Sequence, residues 1–114
     1  MEKFLLLVRE DLNMLKEKGD EGRFKNMNRM LAWVETLTTS GNYLGGEPLE
    51  LSGKYVKQKD VLSDGPFIES KEGILGYDLI YAENFEQAVA IAKTCPMVMQ
   101  GVATREVRSV LDSL

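Results

Sequence analysis

Apolar positions along this chain change their period several times, and each change marks an element. Residues 4–9 open with an unbroken run from Phe4 to Val8, apolar on both faces, which predicts a strand covered on both sides. Residues 10–22 are polar and punctuated by Gly19 and Gly22, with a short helical turn over 12–16. Residues 23–40 then return to a helical period, in which Phe24, Met27, Met30, Leu31, Val34 and Leu37 form one apolar stripe. Gly41 stands where a helix needs a left-handed closing residue. Trp33 lies near the edge of the stripe, as a core aromatic or a pocket wall. Residues 43–51, around Gly45-Gly46-Glu47-Pro48, read as a tight connection, and 54–62 as a lysine-bearing edge strand. Ser63-Asp64-Gly65-Pro66 is a turn signal. Residues 74–82 give the clearest strand, with Leu75, Tyr77, Leu79 and Tyr81 on one face and Ile74, Asp78, Ile80 and Ala82 on the other. Asn84 with Gln87 three residues later predicts a capped helix, buried through Phe85, Ala88, Val89 and Ala92 and stopped by Pro96. Residues 102–110 form the last strand.

The order strand, helix, strand, strand, helix, strand is the split βαβ pattern of ferredoxin-like α+β domains, with both helices on one face of an antiparallel sheet. The strand at 74–82 stays apolar on its second face, which predicts a homodimer joined through that sheet face. At 114 residues the chain is sized for one domain spanning 1–114.

Composition narrows the chemistry. The chain has no histidine and one cysteine, Cys95. That excludes Ser/His and Cys/His catalysis and makes a zinc site improbable, so no metal and no cofactor is expected. Cys95, before Pro96, is read as a small packing residue. Net charge is −4 and the basic residues form no stripe, so no nucleic-acid partner is expected. The longest apolar run is too short to cross a bilayer and lacks a cleavage site, which predicts neither membrane span nor leader and places the protein in the cytoplasm.

One segment carries a more specific signal. Asp64-Gly65-Pro66-Phe67, then Ser70-Lys71-Glu72 and Gly76-Tyr77, together with Gly45-Gly46-Glu47 and the ending Gly101…Glu106-Val107-Arg108, resemble the DGPF-motif branch of the YCII-related family. The resemblance runs from Phe4 to Val110 and implies a dimeric α+β barrel among small bacterial proteins, some found with sigma factors. An acid–base role suggested for the wider family rests on a recurring histidine and aspartate. This chain cannot supply that pair, since the position expected on the first helix falls near Met30. The ending also reads Arg108-Ser109 where the family often has Arg-Pro.

The candidate ligand-binding residues are Asp64, Phe67, Glu69, Glu72, Asp78, Arg108 and Trp33. Clustered carboxylates around the turn can share a proton or meet a cation. Equally, Asp64 is the residue a turn wants, and Lys71-Glu72 suits a solvated surface. Asp78 is the most provocative, because alternation buries it with Ile74 and Ile80, and a buried carboxylate needs a partner. Arg108 is a candidate for that partner, and the family more often has an uncharged residue at position 78. Three functions follow, the first two being a dimeric small-molecule-binding, accessory or regulatory domain without catalysis, or a cofactor-independent acid–base enzyme, isomerase- or lyase-like, with its site between sheet and helices. A passive interaction module is the third.

Overall fold

The computed structural model describes residues 1–50, 53–59, 61–63 and 72–111, with the side chains of 12–25, 55, 62, 63 and 72 outside the described set. In chain order the elements are β1 (Glu2–Asp11), α1 (Leu12–Thr39), β2 (Tyr43–Pro48), β3 (Lys54–Val56), β4 (Val61–Ser63), β5 (Glu72–Ala82), α2 (Phe85–Lys93), α3 (Pro96–Met99) and β6 (Ala103–Ser109). The main sheet has the order β2-β5-β1-β6, and β3 and β4 form a separate hairpin. Every neighbouring pair in the main sheet is antiparallel, with β1 bonded to β5 on one edge and β6 on the other. This is a ferredoxin-like α+β fold.

The apolar residues of β1 divide by the two-residue period. Phe4, Leu6 and Val8 are buried and meet Trp33 and Leu37 of α1, Ala88 and Ala92 of α2 and Met97 of α3. Leu5 and Leu7 point the other way and stay partly exposed, as do Tyr77, Leu79 and Tyr81 of β5. The helices therefore cover one sheet face and leave an apolar strip along the other.

Four boundaries differ from expectation. The first helix is not a short turn followed by a second start at 23. It runs unbroken over Leu12–Thr39, because a glycine in a helix costs only about 1 kcal/mol and context overrides it. Its buried face is Met30, Trp33, Val34 and Leu37, whereas Met27 and Leu31 are 52% and 62% exposed. The second strand of the sheet is the glycine-rich segment Tyr43–Pro48, not 54–62, which folds instead as the β3–β4 hairpin. Pro96 does more than stop α2: it begins α3, where a missing N–H costs nothing.

The termini of the helices follow their capping residues. Gly41 takes φ +81°, and the Asn42 N–H reaches back to the Leu37 carbonyl at 2.9 Å, closing α1. The Asn84 side chain accepts from the Gln87 N–H at 2.9 Å, and the Gln87 side chain accepts from the Glu83 N–H at 2.6 Å.

Candidate functional site

Alternation along β5 and β6 puts two opposite charges on the helix-covered face. Asp78 lies opposite Leu6 and Arg105 opposite Val8, so the two flank β1 from either side. Arg105 reaches across β1, and its Nη1 donates to Asp78 Oδ2 at 2.6 Å. The side chains are 1% and 10% exposed. The second oxygen, Asp78 Oδ1, accepts from the Tyr43 hydroxyl at 2.8 Å. Burial, reinforced by that hydrogen bond, pushes the Tyr43 phenol well above its ordinary range, so it remains a donor at any physiological pH.

Nη1 also donates to the Leu6 carbonyl at 3.4 Å, and the remaining guanidinium contacts are soft. Nη2 lies 3.5 Å from Cys95 Sγ, and the cation sits 5.0 Å from the centroid of the Trp33 ring. Its buried Nε finds no acceptor among the described residues. Facing the ring quadrupole, the charge gains about 0.5–2 kcal/mol that would otherwise need another hydrogen bond. Cys95, fully buried, also approaches Met30 Sδ at 3.7 Å. A thioether thus stands where the resemblance places a histidine, and it neither gives nor takes a proton.

Gly46 makes room for this cluster. A Cβ there would collide with Asp78 Oδ1 and the Tyr77 carbonyl, and would stand 2.8 Å from the Tyr43 hydroxyl. Gly46 therefore lets β2 close over the carboxylate.

Beyond Trp33 the surface opens into a groove of about 450 Å³ between α1 and α2, walled by Trp33, Leu37, Ala90 and Ile91 with Thr36 and Thr94 at its edge. The indole Nε1 donates to Thr94 Oγ1 at 2.8 Å, and that hydroxyl donates to the Ile91 carbonyl at 2.6 Å. The indole is pinned at its N–H by α2 and backed by Arg105.

Of the residues singled out in the sequence, Asp78 and Trp33 meet in one cluster, linked through Arg105. Arg108 does not join them. It lies on the opposite sheet face, 67% exposed, donating to Glu106 Oε2 at 3.2 Å. Glu106 also accepts from Arg9 at 3.1 Å, and these bonds, Arg108's first, hold its carboxyl below the usual range. On that same face the Tyr77 hydroxyl donates to Glu47 at 3.2 Å. Asp64, Phe67 and Glu69 lie outside the described residues; Glu72 begins β5, with its side chain outside them. Tyr43 and Arg105 were not chosen as site residues from the sequence. The signal for Arg105 was present: Ala103, Arg105 and Val107 alternate onto one face, so a charge sat between two inward apolar positions.

An antiparallel four-stranded sheet with helices on one face defines the class as ferredoxin-like α+β, and the buried Asp78–Arg105 pair is this chain's own addition to it. The chain belongs to the YCII-related domain family, whose pattern matches residues 3–111. No curated protein matches the chain. Among solved structures it is similar to 5-chloro-2-hydroxyhydroquinone dehydrochlorinase (TftG) from Burkholderia phenoliruptrix, in complex with 2,5-dihydroxybenzoquinone. Identity is 16%, the TM-score is 0.61, and the likeness covers 97% of this chain and 95% of that one. At that identity it speaks for the fold alone.

Proposed function

We propose that the chain is a single-domain, cytoplasmic, homodimeric protein that binds a small molecule without transforming it. The observation that carries this reading is the full engagement of Asp78, whose two oxygens are taken by Arg105 and Tyr43. A general acid or base must come within reach of the proton it transfers, and Asp78 is buried under the helices in an ion pair. The Asp78 carboxylate has given both of its oxygens to the fold. What it supports is a rigid wall: Arg105 fixes Trp33, and Trp33 lines an apolar groove of a size that suits small ligands. The partly exposed strip of Leu5, Leu7, Leu79, Tyr77 and Tyr81 supports dimerisation through the uncovered sheet face.

The chain's one tryptophan is the natural reporter. Titrating hydroxylated aromatics and quinones, with 2,5-dihydroxybenzoquinone among them, should give saturable quenching of Trp33 emission and a matching calorimetric isotherm, at affinities of about micromolar order. Absence of saturation by either method up to about millimolar ligand would sink the binding reading.

The competing reading is an acid–base enzyme of isomerase or lyase type. It is favoured by one observation, the likeness of fold to a dehydrochlorinase. The same ligands, followed by mass spectrometry for a change in product, separate the two: turnover by the wild-type protein establishes the enzyme, and saturable binding without turnover establishes the binding domain.

A further inference from the structure

The β3–β4 hairpin pairs with no other strand among the described residues. Val56 and Val61 face each other across it, 71% and 61% exposed. A two-stranded hairpin is marginal in water, and one that also displays its apolar pair gains most by covering it. Residues 54–63 carry Lys54, Lys57 and Lys59 against Asp60, a net +2 in a chain of −4, which leaves −6 on the remainder. The surface that would cover the hairpin is therefore acidic, with an apolar centre.

Such a surface exists at the start of α2. Phe85 is 49% exposed there, its ring edge-on to Phe4 at 5.4 Å, and it is flanked by Glu83 and Glu86, both exposed. It is the mirror of the hairpin: an apolar side chain between two carboxylates, against two valines between lysines. Along the sheet, β2 runs from Tyr43 beside Ile80 to Pro48 beside Gly76, away from the end at which α2 begins. The hairpin thus follows the end of the sheet where β5 starts, and Phe85 follows the end where β5 finishes. A two-fold axis perpendicular to the strands carries one end of the sheet onto the other.

We infer that the β3–β4 hairpin is an arm that docks on the partner copy's α2 start, Val56 and Val61 against Phe85 and Lys54 and Lys59 against Glu83 and Glu86. The contact rests on the homodimer proposed above and adds a second, reciprocal pair of patches to its sheet interface. It makes the dimer sensitive to salt, as exposed charge pairs are.

The test is a charge-reversal series read by sedimentation equilibrium. K54E/K59E and E83K/E86K should each weaken the dimer about tenfold, and the fourfold variant should recover wild-type affinity. Recovery distinguishes docking from misfolding, which added substitutions would not repair. A dimer whose affinity is unchanged in both double variants, or not restored in the fourfold one, overturns the arm and leaves the homodimer standing. A wild-type protein still monomeric at about 100 µM removes the homodimer and the arm with it.

Discussion

Four kinds of neighbour replace water around the buried Arg105 guanidinium: a carboxylate, a backbone carbonyl, a sulfur and an indole face. Removing one side of such a pair is worse than removing both. Asp78→Ala strands the guanidinium and should destabilise the fold by about 3–5 kcal/mol in urea unfolding, whereas Asp78→Leu with Arg105→Met should cost far less. Tyr43 adds a signature at the alkaline end. Its phenol is raised in the folded state from an ordinary value of 10.0, so its contribution is intact below that value and declines as pH climbs above it. Tyr43→Phe should flatten the loss of stability above about pH 10 and remove one late-titrating phenol from the 295 nm absorbance curve. The burial of Asp78 was legible from alternation with Ile80, though Ile74, expected on the same buried face, is 42% exposed beside the register shift at Val8/Arg9. The partner of Asp78 was not legible. Alternation places a side chain on a face, while pairing across an intervening strand depends on register, and Arg105 and Arg108 differ by the odd number that sends them to opposite faces.

At the scale of elements, the helices and strands that announce themselves by period were legible: β1, β5, α2 and β6 fall within a few residues of their expected limits. β2 was not. Its Gly45-Gly46 pair reads as a turn, and only the need to clear Asp78 explains a glycine inside that strand. Gly46→Ala should therefore cost about 1–3 kcal/mol by thermal or urea unfolding, despite adding a single methyl group. The N-terminal half of α1 was illegible for the opposite reason, because polarity and two glycines hide a helix whose continuity is set by the rest of the element. Where capping chemistry is local, sequence sufficed, and Asn84→Ala should lower stability by about 1 kcal/mol through loss of the bond to Gln87.

For the molecule as a whole, the two sheet faces carry different kinds of charge. The buried pair is shielded from solvent, whereas Arg9, Glu106 and Arg108 sit on the face proposed to meet a second copy. Glu106 is depressed from 4.5 when folded, so its contribution is present above that value and is lost as pH falls through the lower folded one. Glu106→Gln should lower stability at neutral pH, leave it little changed at acid pH where Glu106 is already protonated, and so flatten the acid limb in urea unfolding followed across pH. The sheet order has one more consequence. β1 is the earliest strand in the chain, yet it lies at the centre and takes its second neighbour only when residues as distant as Ser109 pair with Phe4. Both partners of the central strand therefore wait on contacts spanning most of the sequence, which slows the search relative to a helical bundle of equal length. During synthesis, the most apolar strand of the protein stands unpaired on both edges until β5 has been made, and keeps one open edge until β6 follows, and it is there that a chaperone would find its hold.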